Sequence, residues 1–188
     1  MAGAPESGST FRFLSRRRFL RWTLGAGVGL AGLGVGARAL WRGEEPEPPL
    51  GEDGASRLHV LTPREYRTAR ALAEAHLPTG GPFAPGASEA QLALAFDAFL
   101  VDEPAGNVAD LKKALMLIDL GPLLFEGTPT PFHRLPLEAR IAHWEGWMRS
   151  GLLLRRQVAI AFRKFYSLVF YDRPEVWRAI GYGGPSYG

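Results

Sequence analysis

Four histidines, His59, His76, His133 and His143, are the residues of this chain best suited to bind a metal or move a proton near neutral pH. No two of them are three or four positions apart, the spacing that sets two imidazoles on one helix face to share an ion. Glu74 and His76 are two apart and face different ways on a helix. A composite site from His76, His133 and His143 would need the fold to gather them, and satisfied or surface histidines are the alternative. Nucleophilic catalysis has no better footing: no Gly-x-Ser-x-Gly elbow is present, and Gly86-Ala87-Ser88 reads as a helix start. The chain has no cysteine, which excludes thiolate catalysis, iron–sulfur clusters, c-type haem attachment, a lipidated N-terminal cysteine and disulfides. The glycine clusters at 25–36 and 181–184 do not sit between a strand and a helix, so neither is a dinucleotide fingerprint. No cofactor site is expected in this chain.

The selective pattern lies at the other end. Ser15-Arg16-Arg17-Arg18-Phe19-Leu20-Arg21, followed by an uncharged run from Trp22 to Ala37, has the order of a twin-arginine export signal. Ser15, Arg16, Arg17, Phe19 and Leu20 are its recognition residues. Two planar, always-charged guanidinium groups can be held bidentately by acidic receptor groups where lysine could not. As a helix the 16-residue run would reach about 24 Å, against about 30 Å for a hydrocarbon core. Six glycines loosen it, each by about 1 kcal/mol of helix propensity. Ala37-Arg38-Ala39 offers a small-x-small cleavage site. The other reading of this stretch is a basic arm and short membrane anchor, and an uncleaved signal would be both.

These residues must be delivered and followed by something foldable. The whole chain has 188 residues and a formal charge of +3, but residues 1–39 hold six arginines and one acid. The remaining 16 basic and 18 acidic side chains are interspersed, without a lysine–arginine run, so nucleic acid is not an expected partner. Three parts result: a signal over 1–39, a flexible Pro/Glu-rich linker over 40–60 containing Glu44-Glu45-Pro46-Glu47-Pro48-Pro49, and a domain over 61–185.

Within that domain the periodicity predicts an all-α bundle of about five helices and no convincing strand. Thr62-Pro63-Arg64-Glu65 is a capping box opening the first helix, which carries Tyr66, Ala69, Leu72, Ala73 and His76. Ser88 is the expected N-cap of the second, with Leu92, Ala95, Phe96, Phe99 and Leu100 on one face, and Asn107 that of the third. Gly121-Pro122 interrupts the third, and Thr128-Pro129-Thr130-Pro131 is a loop. Pro136 opens the fourth, with Ile141, Trp144 and Met148 inward and Glu138, Arg140, Glu145 and Arg149 toward water. The fifth, about Leu152 to Tyr171, places Val158, Phe162, Phe165, Tyr166 and Val169 at three- and four-residue spacing, and a short turn then holds Trp177.

Aromatics crowd the last two helices, and at helical spacing most of them are core. Trp147, near the edge of its stripe, and Trp177, in a terminal segment, are candidates for an interface instead. With Arg155, Arg156 and Tyr182 they make the expected partner-binding set, and Arg163 and Lys164 could join its polar rim.

The C-terminal half, through Phe132, Leu135, Arg140, Trp144, Ser150, Arg155-Arg156, Lys164, Tyr171, Pro174, Trp177, Ile180-Gly181-Tyr182 and Pro185, resembles the gluconate 2-dehydrogenase subunit 3 family. Leu61-Thr62-Pro63-Arg64-Glu65, Ala71-Leu72-Ala73-Glu74, Leu77-Pro78 and Pro85-Gly86-Ala87 before Phe96-Asp97 are similar to its opening. The chain departs from some relatives in having Thr79-Gly80-Gly81 after Leu-Pro where they are acidic. The resemblance implies a non-catalytic small subunit of a large FAD-dependent dehydrogenase of the glucose-methanol-choline type. It implies that the FAD belongs to the partner and that a cytochrome c is a candidate electron acceptor. Folded export is needed when a cofactor is inserted before crossing, so the expectation is a subunit that lends the flavoprotein its signal at the twin-arginine translocase. The location would be the periplasm, or the periplasmic face of the inner membrane if the signal stays attached. Two other readings stay open: a stand-alone metal protein or enzyme using His76, His133 or His143, and a membrane-tethered adaptor with no dehydrogenase.

Overall fold

The computed structural model describes residues 58–80, 85–88 and 90–183. The signal residues Ser15, Arg16, Arg17, Phe19 and Leu20, the linker up to residue 57, the loop at 81–84 and the stretch from Gly184 onward lie outside the described residues. Within them the chain is all-α: α1 Pro63–His76, α2 Leu92–Val101, α3 Ala105–Asp119, α4 Gly121–Glu126, a 3₁₀ turn at Phe132–Arg134, α5 Leu137–Met148, α6 Leu153–Tyr171 and α7 Pro174–Ala179. Five of these are long enough to be the expected bundle; α4 and α7 are six-residue additions.

The first helix sits in the middle, packed against α2, α3, α5, the 3₁₀ turn and α6. Its sequence explains that position. Ala69, Ala71, Ala73 and Ala75 are all buried, and side chains this small let several neighbours approach one backbone while favouring the helix itself. The capping box forms as expected: Glu65 N–H donates to Thr62 Oγ1 at 3.3 Å and Thr62 N–H to Glu65 Oε2 at 2.8 Å. Against α1 lies an aromatic cluster centred on Phe96 of α2, with ring centroids 5.1 Å from Phe165, 5.5 Å from Phe162 and 6.2 Å from Tyr166. Tyr166 is fully buried, so its hydroxyl needs an acceptor, and it donates to the Ala69 carbonyl at 2.9 Å. Burial pushes the ionisation of this phenol far up.

Three local expectations are corrected. Ser88 does not cap α2; its Oγ donates to Glu74 Oε1 at 2.8 Å, and the helix follows Gln91, whose φ of 50° breaks the chain direction. The turn before it passes so close to Thr79 that a Cβ on Gly86 would lie 2.7 Å from the Thr79 Cα, which is why glycine stands there. Asn107 does not cap α3, because the helix begins two residues earlier, directly after Pro104, and Asn107 Nδ2 instead donates to Glu103 Oε2 at 3.0 Å. Arg140 does not face water: its Nη1 pairs with Glu74 Oε2 at 2.9 Å and so ties α5 to α1. Burial alone would raise the Glu74 carboxyl, but bonds from Ser88, Arg140 and Arg70 hold it below the usual range.

Two carboxylates are wholly buried. Asp97 of α2 accepts three successive backbone N–H groups, from His59 at 2.6 Å, Val60 at 3.0 Å and Leu61 at 2.7 Å. Lys112 of α3 adds a bond from Nζ to the Val60 carbonyl at 2.8 Å. His59 and Val60, assigned to the linker by composition, are therefore held by the domain, because a side chain 38 and 37 positions later supplies their acceptors. The other, Asp119 at the end of α3, takes Arg64 of α1 on one oxygen at 2.8 Å and His133 of the 3₁₀ turn on the other at 2.6 Å.

Replacing Asp97 by Ala should leave three N–H groups without their acceptor and cost about 3 kcal/mol of unfolding free energy in urea titration. Hydrogen exchange at the amides of His59, Val60 and Leu61 should rise with it; unchanged protection there would mean that the carboxylate is not their clamp.

Candidate functional site: an outward apolar and basic helix face

The histidines are not gathered. His76 Nε2 lies 3.3 Å from Ser167 Oγ, His133 Nδ1 is on Asp119, and His143 Nδ1 is on Glu126 Oε1 at 2.5 Å. Among the described residues no group of three His, Cys, Asp or Glu side chains could hold a metal. The composite site weighed for His76, His133 and His143 therefore does not assemble in this fold.

The arrangement nearest to catalysis is Glu126–His143–Trp147. It has the order of a carboxylate–histidine relay, but its last member is wrong for the chemistry. Trp147 Nε1 donates to His143 Nε2 at 2.8 Å, and an indole N–H can only donate, so Nε2 must be the acceptor and Nδ1 the protonated nitrogen facing Glu126. A base whose lone pair is taken by a buried tryptophan cannot receive a substrate proton. The site is also closed by backbone, since a Cβ on Gly121 would come 2.7 Å from His143 Nε2. Burial pushes the His143 pKa down; the Glu126 carboxylate pulls it up in part, and Arg155 adds to the depression.

This geometry relocates the expected partner-binding set. Trp147 has 0% exposure and belongs to the core, so it is withdrawn as a surface contact. It lay at the edge of a stripe judged on α5 alone, and α4 covers that edge, with Phe125 edge-on to it at 5.8 Å. Arg155 is half-buried, its guanidinium 4.3 Å from the Phe125 ring centre and 5.2 Å from that of Trp147, so it pins α4 against the bundle. Burial lowers its pKa, against an opposing pull from Glu126. Arg156 is half-buried and donates from Nη1 to the Ser150 carbonyl at 2.5 Å. Trp177, also half-buried, donates from Nε1 to the Tyr171 carbonyl at 2.6 Å and meets the Tyr182 ring edge-on at 5.9 Å. Tyr182 is exposed. Of the five, only Tyr182 is exposed, and with Trp177 against it marks the end of an open surface.

That surface continues onto α6. The inner side of the helix buries Val158, Ala159, Phe162, Phe165, Tyr166 and Phe170. Its outer side carries Leu153, Ile160, Leu168 and Tyr171, exposed to 60%, 47%, 65% and 48%. At 3.6 residues per turn these four fall within about 80° of one another and run about 27 Å along the helix. A helix apolar on every side is ordinarily buried on every side. Around this stripe stand Arg156, Arg163 and Lys164, and α6 contains four basic residues and no acid. Arg163 and Lys164 are exposed and form no ion pair among the described residues.

Sequence reading missed Leu153, Ile160 and Leu168 because it followed the strongest stripe and stopped there. The signal that could have found them is the residue left over: apolar positions opposite a complete core face. Compared with protein-family models, with curated proteins and with solved structures, the chain matches none.

Two measurements test the internal networks. Trp147→Phe removes the donor that holds His143 Nε2 neutral, so the imidazole should titrate at higher pH by NMR than in the native chain. Burial, with Arg163 nearby, lowers His76 from 6.5 to about 4. Between those values the unfolded chain binds more protons, so stability is complete above about 6.5 and falls as the pH drops toward 4. His76→Gln should flatten that acidic limb in urea titrations run across the window.

Proposed function

We propose that this chain is a non-catalytic small subunit that docks on an FAD-dependent dehydrogenase of the glucose-methanol-choline type and carries it through the twin-arginine route to the periplasm. The observation that carries the reading is the outer face of α6. A domain of this size that leaves four large apolar side chains in line on one helix is incomplete by itself, and a standing partner completes it. The resemblance through Trp177, Ile180-Gly181-Tyr182 and the Thr62-Pro63-Arg64-Glu65 opening supplies the kind of partner. The Arg16-Arg17 signal supplies the route: folded export is worthwhile for a chain that must receive FAD before it crosses, and here that chain is the partner. A cytochrome c would take the electrons from the dehydrogenase once the complex is outside. The proline- and glutamate-rich stretch between signal and bundle keeps the docked pair clear of the translocase while the signal is bound.

Changing Arg16 and Arg17 together to lysine should leave the complex assembled and strand the flavoprotein activity in the cytoplasmic fraction. Fractionation that still finds the activity in the periplasm would refute the escort role.

A further inference from the structure

We infer that the outer face of α6, from Leu153 to Tyr171 and continued by Tyr182, is the docking surface, and that it takes a protein surface with an apolar furrow edged by carboxylates. The identity of that protein as the dehydrogenase rests on the function proposed above; its surface chemistry rests on α6 alone.

The apolar part follows from the stripe. Leu153, Ile160, Leu168 and Tyr171 are all close to or above half exposed on a helix whose other side is core, so water meets this helix along its whole length. Tyr171 joins it to the C-terminal segment: Trp177 is anchored on the Tyr171 carbonyl, and Tyr182 stacks edge-on to Trp177. An aromatic pair at the end of an aliphatic row gives the face a fixed terminus, of the residue types enriched where interfaces concentrate their energy.

The carboxylate part follows from charge. The rest of the described chain mixes acids with bases, whereas α6 has only bases. Lys164 stands between Ile160 and Leu168 within the stripe and Arg163 beside it, both exposed. Cations at the border of an apolar surface select a partner with opposite charge and set its register.

The same residues argue against the other occupants. A second copy would bring α6 against α6 about a two-fold axis, so Arg163 and Lys164 would face their own kind with no acid on the helix to answer them. An anionic bilayer suits the bases of α6 but gains nothing at the far end, where the exposed Asp172 and Glu175 beside Tyr171 offset Arg173 and Arg178 and would meet like charge. A protein surface can place carboxylates opposite Lys164 and a cation opposite Asp172; a lipid sheet cannot.

The test uses the full-length chain in its own cells, with a photo-crosslinking amino acid at Ile160 or Leu168, and at the exposed Glu138 of α5 as control. Adducts should form from α6 and not from Glu138, and the crosslinked peptide of the partner should carry Asp or Glu. The double change Arg163→Glu with Lys164→Glu should lower adduct yield at least tenfold, and lysines in place of the partner's acids should restore it. Leu168→Glu, on the exposed side, should abolish the adduct while leaving the thermal midpoint of the chain unchanged. If the restored partner is a flavoprotein, surface and proposed function both stand. If it is a protein without flavin, the surface stands and the dehydrogenase reading falls. Adducts to a second copy, adducts to phospholipid, no adduct at all, or an adduct indifferent to charge reversal would each overturn the inference. So would binding of the purified chain to phosphatidylglycerol vesicles that Leu168→Glu removes.

Discussion

The carboxylate of Asp119 has no access to water, and how it is neutralised determines which elements can meet. Burial alone would raise its pKa, yet the His133 imidazole and the Arg64 guanidinium hold it below the usual carboxylate range. Those partners come from different places: Arg64 from the first turn of α1, His133 from the 3₁₀ turn 14 residues after Asp119. A buried charge stripped of its partner is among the costliest defects a fold can carry. The end of α3, the start of α1 and the turn leading to α5 are therefore a single unit, and the chain that closes it also brings Trp144 and Phe132 into the core. Asp97 does the same at the N-terminal edge with backbone N–H groups in place of cations.

With both joints made, α6 still keeps four large apolar side chains exposed in line on its outer side. α1 can be surrounded because it is alanine-rich and thin; α6 cannot, because it lies on the outside with large side chains all round. Arg155 and Arg156, which read as a free rim, are used within the molecule, one across Phe125 and Trp147, the other on the Ser150 carbonyl. The exposed charges of α6 are the next pair along, Arg163 and Lys164. In the proposed complex such a preformed helix surface would dock with little ordering cost.

The helices were legible because their signals are local. Thr62 to Glu65 closes a capping box within four residues, Pro122 lacks the N–H that α3 would need to continue, and α6 repeats apolar residues at three and four. The misplaced starts at Ser88 and Asn107 have different causes: at Asn107 the helix has already begun after Pro104 and the side chain bonds Glu103, four residues back, whereas Ser88 is drawn away from its helix. A capping side chain can be recruited by a distant group, and Glu74, 14 residues before Ser88, took it. Trp147 failed for the matching reason: α4 is too short for periodicity to announce it, and it is the element that covers the indole.

By itself the sequence determined everything that depends on neighbours within a turn or two: helix after helix, the proline breaks, the absence of thiol chemistry, the charge contrast between the first 39 residues and the rest, and a motif in the order of an export address. Tertiary structure alone decided which apolar stripe of α6 became core and which met water, which arginines were consumed inside, and that His76, His133 and His143 were parted. Those outcomes turn on side chains tens of positions apart competing for the same partner, and hydrogen-bond acceptors and buried volume are allotted only when the elements pack.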